Sequence, residues 1–307
     1  MQELYRKYRP KVFQDVLGQP EAVHMLEQLL KDHKLPHTLL LSGPSGCGKT
    51  TLARILKSKL NCADADFNEL NCADFRGIDV VRDIRQRMGL APLNGACRIW
   101  LIDEAHSLTK DAQTAFLKIL EDTPAHCYFF LATTEPNKLL ATVRTRGTEI
   151  KLSPLCAKDM HQLLSAILQR EQGQQPSPQV IERLVEVADG CARKSLVLLH
   201  QIMAISDEQQ QLDILQKSDT QRQAIDIARA LINPRSKWPE VAKIVAQVQD
   251  DPEAVRRLIL AYAATVLLAG GSLADRAYII LTTFEANFFD SGRAGLIRAC
   301  REVFITK

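Results

Sequence analysis

Gly43-Pro-Ser-Gly-Cys-Gly-Lys-Thr50 fills every fixed position of the pattern GxxxxGK[ST]. Glycines at 43, 46 and 48 let successive backbone N–H groups converge on one point. A helix starting at their end adds its positive N-terminus, so a chain of phosphates can be cradled there without steric cost. In such a P-loop Lys49 reaches the β- and γ-phosphates and the Thr50 hydroxyl a magnesium ion. Gly43, Pro44, Ser45, Gly46, Cys47, Gly48, Lys49, Thr50 and Thr51 are therefore the expected nucleotide-binding residues. A second constellation is Arg98-Ile-Trp-Leu-Ile-Asp-Glu-Ala-His106, an apolar run that ends in two carboxylates. Beside a P-loop, Asp103 suits the shell of magnesium, and Glu104 can orient and deprotonate an attacking water. His106 is expected to be a packing or surface residue. The run Cys127-Tyr-Phe-Phe-Leu-Ala-Thr-Thr134 ends in hydroxyls, one of which can hydrogen-bond that water or the γ-phosphate.

These groups meet only if one sheet brings them to one edge. Thr38-Leu-Leu-Leu-Ser42 is a short apolar strand leading into the P-loop, and an amphipathic helix follows it. Continuous apolar runs are what parallel strands covered on both faces look like. In an open α/β sheet the ligand crevice lies beyond the carboxyl ends of the strands, where residues 43–51, 103, 104 and 134 all fall. A weak strand at 67–71, and a fifth ending at 152 after Val143-Arg-Thr-Arg146, complete an α/β fold with a parallel five-stranded sheet. Residues 4–19, rich in proline, glycine and charge, read as a loop that lies on something. Residues 21–30 read as a helix ended by Leu35-Pro36. The helix over 77–88 turns Ile78, Val81, Ile84 and Met88 to one side and Arg82, Arg85 and Arg87 to the other, as either a solvated or a phosphate-contacting face. Thr109 caps a further helix with Lys110 in its first turn.

From residue 153 the chain changes to short helices. They cover 158–170, a stretch opened by Ser177 as N-cap with Pro178 at N1, and 192–205. Ser206-Asp-Glu-Gln209 fits a capping box, and five helical stretches lie beyond it at 220–232, 240–249, 252–269, 274–288 and 294–305. At 307 residues more than one core is expected. The division is 1–153, 154–213 and 214–307. With 46% hydrophobic and 24% charged residues and a net charge of +3, the chain has a globular composition, and any basic surface must be local. The first residues carry charge where a signal peptide needs an apolar core, and the longest apolar run, 258–269, is too short to span a bilayer. The eight cysteines contain no CxxC pair, which argues against a zinc ribbon and a disulfide framework. They read as reduced, mostly buried small residues.

Tyr8-Arg-Pro10, the P-loop, the 98–106 run, Arg76-Gly-Ile-Asp79, Ala132-Thr-Thr-Glu-Pro136, Thr145-Arg-Gly147 and Gly190-Cys-Ala-Arg193 occur together in one order. In that order the chain resembles the clamp-loader ATPases of the AAA+ class. It is similar to the small subunits of replication factor C and to the ATPase module of the bacterial gamma/tau subunit of DNA polymerase III, closely over residues 1 to 200 and more faintly beyond. The resemblance implies a AAA+ base, a helical lid and an all-α collar that holds subunits in a ring. Tyr5, Arg9 and Val16 match positions around the adenine and phosphates, Thr134 the first sensor, Arg193 the second sensor and Arg146 the arginine finger. The family's Ser-Arg-Cys is Thr-Arg-Gly here. The zinc module of the bacterial subunits is absent, since Cys62 and Cys72 have no partner CxxC, and Asn71-Cys-Ala-Asp74 is closer to the replication factor C pattern.

The resemblance further implies an ATP hydrolase acting with Mg2+ and without zinc, in a pentameric ring with other clamp-loader subunits. Such a ring opens a sliding clamp, admits primer-template DNA and hydrolyses ATP to release both. Arg82, Arg85, Arg87 and Lys110 are then the DNA-contact candidates. The expected location is the cytoplasm of a bacterial, archaeal or phage-infected cell, or a eukaryotic nucleus, with no membrane partner. Two other readings stand beside it. A AAA+ protein remodeller needs an aromatic-apolar pore loop, where Asp74-Phe-Arg-Gly-Ile78 offers one Phe. A structural subunit binds nucleotide without hydrolysing it, which the presence of Lys49, Thr50, Asp103, Glu104 and Arg146 argues against.

Overall fold

A strand turns successive side chains to opposite faces, and in three strands of this chain both faces are apolar. Leu39 and Leu41, Ile99 and Leu101, and Phe130 and Ala132 enter one core. Leu40, Trp100 and Ile102, and Phe129 and Leu131 enter another on the opposite side. Sheets of this kind need cover on both sides. The computed structural model of the chain describes residues 3–74, 77–171, 175–248, 251–289 and 291–306. Phe75 of the pore-loop comparison, Arg76 of the Arg76-Gly-Ile-Asp79 motif and Gln249 at the end of an expected helix lie outside the described residues.

The described residues form two compact units, Met1–Ser206 and Asp207–Lys307. In the first, α1 (Leu4–Lys7) and α2 (Pro20–Lys31) precede β1 (Thr38–Ser42), α3 (Lys49–Lys59), β2 (Phe67–Asn71), α4 (Ile78–Met88) and β3 (Arg98–Asp103). Then come α5 (Lys110–Glu121), β4 (Cys127–Thr133), α6 (Ala141–Arg144), β5 (Thr148–Lys151), α7 (Ala157–Leu168), α8 (Pro178–Ala188) and α9 (Ala192–Ile202). The sheet is parallel throughout, with strand order β2-β3-β4-β1-β5. Leu26 of α2 and Leu52, Ile55 and Leu56 of α3 cover one face. Val81, Ile84 and Met88 of α4 and Phe116 and Ile119 of α5 cover the other. The expected five-stranded parallel α/β sheet is thus present, and β1 and β4, neighbours in space, end side by side with Ser42 opposite Thr133.

Several local expectations hold in detail. Thr109 Oγ1 accepts from Ala112 N, and Ser177 Oγ accepts from Val180 N with Pro178 at the first helical position. Others shift. The segment read as a loop contains the single turn α1, and its Phe13 is only 2% exposed, packed with the core under α2. A short α6 precedes the fifth strand.

The second unit is all helical: α10 (Glu208–Ile232), α11 (Trp238–Ala246), α12 (Pro252–Ala269), α13 (Ala274–Thr283) and α14 (Gly292–Ile305). α10 starts twelve residues before the expected 220, and its cap is Asp207, whose carboxylate accepts from Gln210 N, rather than Ser206. Ala224, Ile227, Val241, Ile259, Ile280 and Leu296 pack one core from all five helices. At its edge Glu253 is 2% exposed. It accepts from Arg256 at 2.7 and 2.8 Å, from Arg257 Nε at 3.1 Å and from Phe288 N at 2.9 Å. The Arg256 guanidinium, against the opposing effect of burial, holds this carboxyl down at about 2, well below its ordinary 4.5.

A carboxyl depressed by folding stabilises the folded state above its unfolded value and ceases to do so as pH falls through its folded one. Stability of this unit should therefore decline as pH drops from about 4.5 to about 2. Glu253→Gln should cost about 3 kcal/mol at neutral pH, because Arg256 is left buried without its charge partner, and should flatten the acid decline. Chemical denaturation of both forms at pH 7 and pH 3 checks this, and an equal pH slope in the two would refute it.

Candidate active site

The P-loop geometry requires its glycines. Gly46 has φ +74°, and a methyl there would meet Cys191 Sγ at 2.4 Å; Gly43 has φ +149°, and a methyl there would meet the Leu152 carbonyl oxygen at 2.4 Å. The loop leaves the end of β1, where Gly43 N donates to Thr133 O at 3.2 Å, and enters α3 at Lys49. Lys49 is 6% exposed, and its Nζ donates to the carbonyls of Gly43 and Pro44 at 2.7 and 2.8 Å, folded back over the loop.

Asp103 and Glu104 stand at the carboxyl end of β3. The Thr50 hydroxyl donates to Asp103 Oδ2 at 3.1 Å, and Asp103 Oδ1 accepts from Glu104 N at 3.0 Å. A hydroxyl at a helix N-terminus facing a carboxylate is a donor set that suits a hard, oxygen-seeking cation such as Mg2+. Loop, glycines, lysine and this pair together fit a magnesium-bound polyphosphate. Among the described residues no group of three or more His, Cys, Asp or Glu is arranged to hold a metal ion.

One cavity unites most of the expected residues. Ser45, Gly46, Cys47, Gly48, Lys49, Thr50 and Thr51 form its floor, and Asp103 and Glu104 one wall. Tyr5, Tyr8, Arg9 and Val16 close it from the N-terminal segment, Leu155 from the connection after β5, and Leu163, Ala192, Arg193 and Leu196 from α7 and α9. The segment read as a loop lying on something thus lies over the P-loop. Arg193 Cζ stands 5.8 Å from the centre of the Tyr5 ring. Burial first, and then the charges of Arg54 and Arg193, push the Arg9 guanidinium below its ordinary value, so an anion among these cations is favoured. Burial pushes the Cys47 thiol up, making it a poor nucleophile.

Beyond the carboxylates the structure joins residues that the sequence leaves apart. His106 Nδ1 lies 3.0 Å from Thr133 Oγ1 and 3.4 Å from Glu104 Oε2, with the ring only 13% exposed. Thr133 is fully buried and its hydroxyl also accepts from Glu135 N at 3.0 Å, while Thr134 is half-buried just past the strand; neither is a wall of the cavity. The signal in the sequence is the pair of hydroxyls ending β4, which does not itself say which one meets His106.

The remaining candidates lie elsewhere on this unit. Arg146 is exposed, pairs with Glu121 and donates to Thr142 O at 3.3 Å; it does not line its own chain's cavity. Arg82, Arg85, Arg87 and Lys110 are all exposed. Arg82 pairs with Asp79 at 2.9 Å and Arg87 with Asp83 at 3.1 Å, and Arg87 lies 5.4 Å from the Trp100 ring centre. Arg82 and Arg85 line a shallow depression between α4 and α5 with Asp111 and Lys118. Cys62 and Cys72 are buried free thiols. No helix among the described residues is long and apolar enough to cross a membrane.

Comparison with known proteins agrees with this geometry. The family described as DNA polymerase III, delta subunit, matches residues 73–156, and that of the Rad17 P-loop domain matches residues 1–90. DNA polymerase III subunit gamma/tau of Mycobacterium tuberculosis strain H37Rv is 36% identical over 224 residues, covering 66% of this chain and 39% of that protein. The DNA polymerase III tau subunit of Escherichia coli K12 is 33% identical, covering 68% of the chain and 36% of its own length. The chain spans less than half the length of these relatives. Among solved structures, a point mutant of RuvB from Thermotoga maritima superposes with a TM-score of 0.58 at 18% identity, covering 78% of this chain and 86% of that one. The RuvB Holliday junction branch migration motor of the same organism gives 0.53 at 21% identity over 87% and 84%. At that identity the likeness to RuvB concerns the fold alone. The resemblance to clamp-loader ATPases holds, and the chain is a P-loop protein of the AAA+ fold related, over 66% of its length, to the gamma/tau subunits of DNA polymerase III.

Proposed function

We propose that the chain is the ATPase subunit of a DNA-replication clamp loader, built of a base (1–153), a lid (154–213) and a collar (214–307). In the cytoplasm, in a pentameric ring with other clamp-loader subunits, it would open a sliding clamp on binding ATP, place it on primer-template DNA, and let go on hydrolysis. The observation that carries this is the cavity that gathers the P-loop, Asp103, Glu104 and Arg193 on one chain while leaving Arg146 outside it. The names of the relatives point the same way.

In this reading the backbone N–H groups of residues 43–51 and the Lys49 ammonium, released from the Gly43 and Pro44 carbonyls, hold the phosphates. Thr50 and Asp103 hold magnesium, which when bound neutralises charge on the β- and γ-phosphates. Glu104 takes the proton of the attacking water. Thr134 and Arg193 contact the γ-phosphate side, and Tyr5, Arg9 and Val16 the adenine and phosphates. Arg146 leaves Glu121 to enter the neighbouring subunit's site, where its guanidinium meets the charge that builds on the transferred phosphoryl group. Arg82, Arg85, Arg87 and Lys110 face DNA phosphates, and no zinc takes part.

ATP turnover should rise several-fold when primed DNA and the matching clamp are added together. A rise with unfolded polypeptide instead would replace this reading by that of a protein remodeller. Glu104→Gln should keep ATP, because Lys49 and Asp103 remain, but should lose ~10²-fold or more in hydrolysis; unchanged steady-state turnover would remove Glu104 from the mechanism. Arg146→Ala should bind ATP normally and hydrolyse ~10³-fold more slowly. Mixing it with a Lys49→Ala chain, whose Arg146 is intact, should restore turnover at the Arg146→Ala sites. Failure of that rescue in rings shown to be mixed would rule out action in trans.

A further inference from the structure

His106 is joined to more of the site than a packing residue needs to be. It follows Glu104 by two residues and sits in a turn closed by Ser107 N on Glu104 O at 2.8 Å. Glu104 itself stands in the left-handed region, φ 50° and ψ 43°, a conformation that a glutamate adopts only when its surroundings impose it. From that turn the imidazole crosses to the adjacent strand. Its Nδ1 faces both Glu104 Oε2 at 3.4 Å and Thr133 Oγ1 at 3.0 Å, and its Nε2 faces Glu135 Oε1 at 3.7 Å. Thr133 Oγ1 is itself held by Glu135 N, and the Glu135 carboxylate by Lys138 Nζ at 2.8 Å. The ring thus ties the candidate base at the end of β3 to the end of β4, with little room to turn.

We propose that His106 is a positioning residue: its imidazole holds the Glu104 carboxylate to Thr133 and Glu135 at the end of β4, setting where the base stands relative to the phosphates. The proposal rests on the reading that Glu104 activates water. It gives the end of β4 a physical path to the base: any shift of residues 133–135 moves the imidazole and, through Nδ1, the carboxylate. The tie to Glu104 requires the ring to carry a proton on Nδ1, which the carboxylate shares with the Thr133 hydroxyl, a group that can accept as well as donate.

Three readouts separate positioning from packing. His106→Ala should lower kcat for ATP by ~10- to 100-fold, the usual scale for loss of an orienting partner, with ATP affinity within about twofold of the parent. His106→Asn, whose amide can stand near the Nδ1 position, should recover a large part of that loss. In a Glu104→Gln background, His106→Ala should cost nothing further, because the group it orients is already inert. Parental kcat in His106→Ala, failure of Asn to improve on Ala, or losses that multiply in the double variant would each overturn the proposal. The contact is also read without turnover: in histidine-selective 15N spectra, Glu104→Gln should move the His106 Nδ1 resonance, and an unmoved resonance would overturn it. If the unaltered chain turns over no ATP in any assembly, the functional reading fails, while the spectrum still decides whether the imidazole is tied to Glu104.

Discussion

The structure depends on one demand, that the backbone N–H groups of a short loop point at a single spot. A loop can do this only if the strand before it and the helix after it are both immobile. β1 is immobile because it lies between β4 and β5, with leucines buried on both sides. α3 is immobile because Leu52, Ile55 and Leu56 are sealed against the sheet. Burying each such side chain contributes about 1.5–3 kcal/mol, which gives the sheet ample means to offset the conformational entropy lost in ordering a glycine loop. The same parallel order that buries β1 brings the ends of β3 and β4 to the loop, so the demand on the loop and the assembly of the carboxylates are met by one arrangement.

Much of this is legible in the sequence because its causes are local. A strand covered on both faces must be apolar without alternation, and β1, β3 and β4 are. A phosphate-binding loop must carry glycine where a side chain would collide, and Gly43 and Gly46 do. Caps such as Thr109 and Ser177 act over three residues and are readable for that reason. What the sequence hides has its cause far along the chain. His106 reads as a packing residue because its partner Thr133 is 27 positions away, and only the pairing of β3 with β4 brings them together. The stretch before 220 in α10 is rich in glutamine and charge, with Gln211, Leu215 and Asp219 its buried residues, so it lacks the dense apolar spacing that marks 220–232.

The two units place buried charge differently. In the helical unit Glu253 gathers two arginines of its own helix and the backbone of residue 288, joining α12 to the segment after α13. In the sheet unit the pair is Arg98 and Asp66, with side chains 8% and 0% exposed. Burial works to raise the Asp66 carboxyl, but the Leu93 and Asn94 N–H groups and the Arg98 guanidinium outweigh it and hold it below its ordinary value. Each is costly to break because the partner left behind has no water to turn to.

The Arg98 pair has a mechanical consequence. Arg98 opens β3, and its guanidinium also takes the carbonyls of Arg87 at 2.6 Å and Ala91 at 3.1 Å, while Asp66 takes the amides of the loop after α4. The far end of the arginine-bearing α4 is therefore pinned to the first residue of the strand whose last residue is Asp103. Five steps of an extended chain separate the two, about 17 Å, and a strand hydrogen-bonded on both sides does not stretch. β3 acts as a fixed ruler between the arginine surface and the carboxylates.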